Sequence, residues 1–351
     1  MKRKIISILT VLIMGFTVFA ITPGKTSAAS DTYWLKVNVQ RNVVNVYKLK
    51  NGDWEPYRVM LCSCGKSETP TPIGTYSVKK KWRWVQFKSV AGQYVTQFNG
   101  NYLFHSDIYS KYGVNSSCIR SAYNKLGSVA SHGCVRMAVM DAKWVYENCS
   151  WGTKVTTYKS SKAGPLGKPK RVKMAGSGST GWDPTDPQGD SKHFKLKGPT
   201  IKIKKKDTIK YGAKFKIKKG VTAKSKYTRQ NLTSKVKVAK VMYKAEGAEK
   251  FVKLEKKKIN TKKPGKYRIK YTCYDKYCGP KKVKTFKLTV LPQPEPPTEP
   301  TDPTDPTDQT DQTDTSETTG PVETTDPTGS GDLDGTDGSD VVTDPTEPAG
   351  M

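Results

Sequence analysis

Between residue 31 and about 158, apolar and polar positions alternate with the period of half-buried strands. Leu35, Val37 and Val39 take every second place, and Val44 and Val46 do so again. Thr69-Pro70-Thr71-Pro72-Ile73-Gly74-Thr75-Tyr76 reads as a rigid loop entering another strand, since two prolines fix φ and a glycine relaxes it. A short apolar run at 102–105 ends in polar residues. The spacing of Met140, Trp144 and Val145 predicts a helix over 141–148, with Gly152 just beyond it, and a strand at 155–158 closes the unit. From 193 to about 291, Ile201, Ile203, Phe215, Ile217, Val236 and Val238 alternate with lysines, as do Tyr267, Ile269 and Tyr271. Lysine on a wet face and aliphatics on a dry one describe a second, antiparallel β-sandwich. The fold expected is mainly β, with one short helix in the first unit.

Between these units, 159–191 is rich in Gly, Ser, Pro and Lys, has no apolar periodicity and reads as a linker. From 292 to 351 the chain repeats Pro-Thr-Asp/Glu with almost no large apolar side chains, the composition of a disordered acidic tail. At the other end, Lys2, Arg3 and Lys4 precede an apolar stretch over 5–21 and the small residues Ser27-Ala28-Ala29. This is the pattern of a secretory signal at 1–29 that leaves Ser30 at the mature terminus; the alternative is an uncleaved anchor. An extracytoplasmic, cell-wall location is the expectation.

The net charge of +30 conceals a division. The tail holds 16 of the 31 acidic residues and no Lys or Arg, so the first 291 residues carry about +46. Such a body attracts polyanions, and for an exported chain these are anionic wall polymers and lipid surfaces. Its aromatics are scattered without the spacing of a stacking platform, so no nucleic-acid partner is expected. Seven cysteines leave one thiol over if six pair. Cys62 and Cys64 alternate on one strand and Cys149 ends the helix, which suits burial or a disulfide; Cys273 and Cys278 could staple a turn.

Ser131-His132-Gly133-Cys134-Val135-Arg136-Met137 carries the most chemistry. A cysteine after glycine lies on backbone that can turn tightly, and the N–H groups of Gly133 and Cys134 could converge on a tetrahedral oxyanion. A nearby imidazole would activate the thiol. His132 and His105 are the two candidates, and spacing does not choose between them. A zinc site using Cys118 as a further ligand is the competing reading.

The 131–137 segment resembles the signature of the YkuD-type L,D-transpeptidases. The resemblance runs over about 32–158 and includes the 69–76 loop, Phe104-His105-Ser106 and Gly152-Thr153-Lys154-Val155. It implies a β-sandwich catalytic domain with Cys134 as acylated nucleophile and His105 as general base. Ser106 would hold the imidazole through its backbone, and His132 and Ser131 would shape the site. Gly133 would join Cys134 in supplying oxyanion donors, and Arg136 would bind a substrate carboxylate, as a bidentate guanidinium can. The reaction implied is acyl transfer between peptidoglycan stem peptides to give 3→3 cross-links, with hydrolysis as the variant, and without metal or organic cofactor. The interval from 107 to 131 is longer than in several family members and is expected to form a lid over the cleft.

Leu232-Thr233-Ser234-Lys235-Val236 and 263–271 resemble bacterial immunoglobulin-like repeats, which implies a spacer or adhesion module whose lysines meet anionic wall polymer. Two other readings stay open. One is a non-catalytic wall-binding protein. The other is a sortase-like enzyme, though the Thr-Leu-x-Thr segment that precedes a sortase cysteine does not occur.

Overall fold

The computed structural model describes residues 32–190 and 192–297. The expected signal segment at 1–29 and all but the first residues of the acidic tail lie outside these. Among the described residues, no helix is long and apolar enough to cross a membrane.

The alternating apolar positions become strands in the order expected. β1 (Tyr33–Asn38), β2 (Val43–Lys50) and β3 (Asp53–Ser63) form an antiparallel meander, with Leu35, Val37, Val44, Val46 and Met60 buried. β4 (Gly74–Ser77) follows the proline loop, and β5 (Lys81–Phe87), β6 (Val90–Asn99) and β7 (Tyr102–Ser106) form a second meander. The two-residue strand β8 (Cys118–Ile119) leads into one turn of helix, α1 (Arg120–Tyr123). β9 (Val135–Met137) directly precedes α2 (Val139–Asn148), and β10 (Lys154–Tyr158) closes the unit. Nine strands form one sheet in the order β4-β10-β1-β2-β3-β9-β7-β6-β5, parallel only at β1–β10 and β7–β9. Helix α2 packs across β6, β7 and β9, burying Trp144, Val145 and Ala142 in the same core.

Residues 159–190 depart from the linker expectation, because they are strapped to this domain. Asn38 donates to the Ser160 and Lys162 carbonyls, and Asn45 to that of Ala163. Asn124 and Met174 exchange two hydrogen bonds, and β11 (Thr180–Gly181) pairs with β8. The strap is held by side-chain amides and carbonyls rather than an apolar stripe, so it has no periodicity to read.

The later β-rich region has its own core around Leu232, Val241, Ile269, Tyr271 and Leu288. β12 (Thr200–Lys202), β13 (Lys206–Ile209) and β14 (Thr222–Lys224) precede β15 (Lys237–Lys244), β16 (Val252–Lys253), β17 (Gly265–Cys273) and β18 (Lys282–Val290). Five of these form a sheet in the order β13-β18-β17-β15-β16, while β12 pairs with β14. Along β17, Tyr267, Ile269 and Tyr271 point inward between outward Lys266, Arg268 and Lys270, as the alternation predicts. The alternating stretch around Phe215 and Ile217 forms no strand; Phe215 instead stacks flat on Phe286, with ring centroids 6.3 Å apart.

All seven cysteines are free thiols. Cys62 and Cys64 lie with sulfurs 3.8 Å apart in the core. Cys273 and Cys278 do not staple their turn, because Cys273 points at the Leu232 carbonyl and Cys278 at the Thr228 hydroxyl. Of the two readings open for these side chains, burial is the one the fold realises.

Candidate functional site

Parallel pairing of β7 with β9 sets His105 directly beside Arg136 in register, one strand apart. Cys134 is the residue before β9, and the backbone reaches it through Gly133 at φ +106, a conformation that L side chains rarely adopt. A Cβ on Gly133 would also lie 2.6 Å from the Tyr102 ring. His132 is therefore not on a continuous strand with Cys134; it is exposed at the rim of the cleft that both line.

The loop is clamped from two sides. The Ser131 hydroxyl donates to the Cys134 carbonyl at 2.5 Å and accepts the Gly133 N–H at 3.1 Å. Thr71, from the proline loop, accepts the Gly65 N–H and donates to the Gly133 carbonyl at 2.7 Å. The Gly133 N–H, expected to serve a developing oxyanion, is engaged by the Ser131 hydroxyl in this geometry. The Ser131 hydroxyl thus ties the Gly133 N–H to the Cys134 carbonyl.

The half-buried Cys134 thiol donates to the Asn101 carbonyl at 3.6 Å. Burial raises its pKa, against smaller opposing effects of the Leu103 N–H and the Arg136 charge. His105 is 2% exposed. Its ring packs on Phe87 at 4.9 Å between centroids, and its buried Nδ1 has no hydrogen-bond partner. Burial and then the Arg136 charge push its pKa down to about 3, outweighing a contact with the Ser106 backbone. A buried imidazole beside a guanidinium is a neutral one. The resting site therefore holds a neutral thiol and a neutral imidazole, not the imidazolium–thiolate pair that activates many cysteines. Ser106 reaches past the ring: its hydroxyl accepts the Gln93 N–H at 2.9 Å and donates to the Asp107 carbonyl, tying β7 to β6.

Cys134, His105, His132 and Arg136 line one cleft of about 720 Å³. The guanidinium Nε of Arg136 is buried without a partner, while the residue itself lines the cleft. The wall opposite is the β5–β6 turn, Phe87 to Val90. The 107–131 interval does not form the expected lid. Tyr109 is bridged to both Ala91 and Cys118, while Cys118, Tyr123 and Leu126 are buried in the core, so the interval contributes Ile108 alone to this cleft. Cys118, the further zinc ligand of the competing reading, faces Tyr109 rather than Cys134. Among the described residues, no group of three or more His, Cys, Asp or Glu side chains is placed to hold a metal.

Pattern alone missed several participants. Asn101 contributes only a carbonyl, and Gly92 only the absence of a side chain: a Cβ there would lie 2.9 Å from His105 Nδ1. Asp107, two residues after the histidine, is almost wholly buried and pushed up to about 6 by that burial, with Arg136 acting against it. A carboxyl so near a guanidinium and an imidazole was visible as spacing, but its burial was not.

The sequence profile of the L,D-transpeptidase catalytic domain family, YkuD, matches residues 32–157. A Bacillus subtilis (strain 168) protein named as a candidate L,D-transpeptidase, YciB, is 35% identical over 130 residues, which is 35% of this chain and 63% of that protein. The chain thus spans less than two thirds of this relative's length. Among solved structures, a Clostridium acetobutylicum ATCC 824 fused Zn-dependent amidase/peptidase/peptidoglycan-binding domain-containing protein is similar at 27% identity. That match covers 36% of this chain and 52% of that one, with a TM-score of 0.29. L,D-transpeptidase 3 from Mycobacterium tuberculosis, solved with a faropenem-derived adduct, is similar at 22% identity over 36% of this chain and 60% of that one, with a TM-score of 0.30. The family profile and the curated relative together support a YkuD L,D-transpeptidase catalytic domain over residues 32–157, the unit that carries Cys134.

Proposed function

We propose that the chain is a peptidoglycan L,D-transpeptidase with Cys134 as nucleophile and His105 as base. The observation that carries this reading is the single half-exposed thiol, Cys134, opening into a cleft shared with a buried neutral imidazole and an unpartnered guanidinium nitrogen. A stem peptide of the donor strand enters with a carboxylate on Arg136. As Cys134 attacks the scissile carbonyl, its proton passes to His105, whose neutral state lets it accept. The Cys134 N–H, which Ser131 does not engage, faces the developing oxyanion. Collapse transfers the proton from His105 to the departing amino group of D-alanine and leaves a thioester. An acceptor amine then attacks the thioester, gives its proton to His105, and restores the thiol as it forms a 3→3 amide. Water in place of the amine gives carboxypeptidase activity.

The test is mass spectrometry of the full chain with a carbapenem, an acylating probe of nucleophilic thiols, followed by incubation with disaccharide-tetrapeptide. A stoichiometric adduct on Cys134, lost in Cys134→Ala and slowed in His105→Ala, together with a 3→3 dimer, is the expected result. A folded chain that forms neither adduct nor dimer overturns it and returns attention to wall binding. In this reading the chain works in the cell wall, in keeping with the secretory pattern of residues 1–29 and with a peptidoglycan substrate. The later β region, an immunoglobulin-like module in this reading, presents its outward lysines to anionic wall polymer; its support is the lysine alternation along β17 and the five-stranded sheet.

A further inference from the structure

A second groove, of about 610 Å³, reaches Cys134 from the other side of the Asn101 and Phe87 wall. Its floor is the outer face of β5, where Trp82, Trp84 and Gln86 take alternate positions and so point the same way. Over four residues that row extends about 13 Å at ~3.3 Å per residue. Tyr112 stands beside it with its ring centroid 5.9 Å from that of Trp84. Trp82 is 38% exposed and Tyr112 58% exposed. Trp84 is held firmly from beneath, edge-on to buried Tyr109 at 5.0 Å.

Polar groups are interleaved with these rings. The amide nitrogens of Gln86 and Gln97 are tied down, donating to the Lys88 and Gly100 carbonyls. Each side-chain oxygen therefore keeps a fixed direction and is left to accept from a ligand. None of the residues lining the groove carries a charge. In a chain with 61 Lys and Arg against 31 acidic residues, that neutrality is a local exception. The neighbouring cleft, with Lys88, His132 and Arg136, is the opposite. The thiol thus sits between a basic cleft suited to carboxylates and a neutral, aromatic, amide-lined shelf.

We infer that the Trp82–Trp84–Tyr112 shelf binds the glycan of the substrate, a neutral N-acetylated amino-sugar strand, while the stem peptide occupies the basic side. Sugar rings are amphipathic, with apolar C–H faces that lie on indole and phenol rings and an equator of hydroxyl and acetamido groups that meets amides. The inference rests on the peptidoglycan reading for why a glycan should lie beside Cys134. The binding itself is measurable without any reaction.

The test is an NMR titration of the full chain carrying Cys134→Ala with N,N′,N″-triacetylchitotriose, a peptide-free saccharide. Saturable shifts are expected, weakened at least fivefold by Trp82→Ala or Tyr112→Ala and unchanged by Trp151→Ala, which removes an exposed indole outside the groove. Absence of saturable binding, or equal binding after Trp82→Ala, overturns the shelf. In a second arm, the chain with Cys134 intact receives stem peptide with and without its disaccharide. Trp82→Ala is expected to cut the preference in kcat/KM for the glycan-linked substrate at least fivefold. If neither substrate turns over while Trp82-dependent saccharide binding persists, the shelf stands and the transpeptidase reading falls. If both substrates turn over and Trp82→Ala leaves their ratio unchanged, the reaction stands and the shelf falls.

Discussion

The carboxylate of Asp183 accepts the backbone N–H of Val139 at 2.8 Å across 44 residues of chain. Thr185, two residues on, accepts the next N–H, that of Met140, at 3.1 Å. Helix α2 has no cap of its own, since Ala138 precedes it, so the strap supplies one from outside. Because α2 follows β9 directly, the same contact fixes where the Cys134 strand ends. Asp183 is fully buried and its pKa is pushed up to about 7 by that burial. A folded-state pKa above the ordinary carboxyl value means a stability contribution present in full below about pH 4 and lost as pH rises through about 7. Thermal unfolding from pH 5 to 8 should therefore show Asp183→Asn losing less stability over that range than the parent chain, and Asp183→Ala following the same flatter profile ~1 kcal/mol below the Asn variant, for want of the cap. Parallel pH profiles for parent and Asn variant would refute the linkage.

The glycine beneath the imidazole offers a purely steric test. Gly92 sits at an ordinary φ, so alanine there strains no backbone, yet its Cβ would lie 2.9 Å from both His105 Nδ1 and a Phe87 ring carbon. The imidazole would have to shift, and a displacement on the order of 1 Å costs a rate about 10²-fold. Gly92→Ala is expected to slow carbapenem acylation of Cys134 by that order while circular dichroism stays at the parent spectrum. Parent-like acylation kinetics would show that His105 is not held by this contact.

Much of the first domain was open to reading in the chain, because its strands carry an alternation that the sheet then uses: Leu35, Val37, Val44 and Val46 all face the core. The 131–137 segment is likewise conspicuous in the chain, since it sets a thiol, an imidazole and a guanidinium within five residues. What escaped were contacts with no hydrophobic period. The strap at 159–190 is built from Asn38, Asn45, Asn124 and Asp183, polar side chains whose partners are backbone groups far along the chain. The 107–131 interval looked like a lid because of its length, but Tyr109, Cys118 and Tyr123 anchor it inward. The Gly133 N–H looked free because its occupant, the Ser131 hydroxyl, depends on a turn that residue order does not specify.

The protonation states at the site predict a pH profile. With His105 lowered to about 3, the imidazole is uncharged at any pH above that value and offers no cation to stabilise a thiolate. With Cys134 raised by burial, the thiol stays protonated through neutrality. Alkylation by iodoacetamide, followed by mass spectrometry, should rise steadily between pH 5 and 9 at Cys134 without levelling off. The other six thiols are buried and should react far more slowly. A plateau below pH 7 would mean a resting ion pair and would contradict the neutral site.

Beneath α2, Arg58 and Asp141 form a wholly buried ion pair at 2.9 Å, with the guanidinium 4.8 Å from the Trp144 ring centroid. It lies where the two β regions meet: Val59 donates to the Thr228 carbonyl, and Tyr277 bonds Glu147 and Asn148 at the end of α2. Arg58 Nε and Nη1 have no hydrogen-bond partners, so Asp141 is the guanidinium's one charged partner among the described contacts. Breaking such a pair from one side costs ~3–5 kcal/mol, whereas replacing both partners with apolar groups of similar volume is often neutral. Asp141→Ala should therefore lower the unfolding free energy by that amount in a denaturant titration, and Arg58→Met with Asp141→Leu should recover most of it. If the double variant is as unstable as the single one, the pair contributes through specific geometry at the junction rather than through charge compensation. In that case the Val59–Thr228 contact should loosen as well, which amide exchange at Val59 would register.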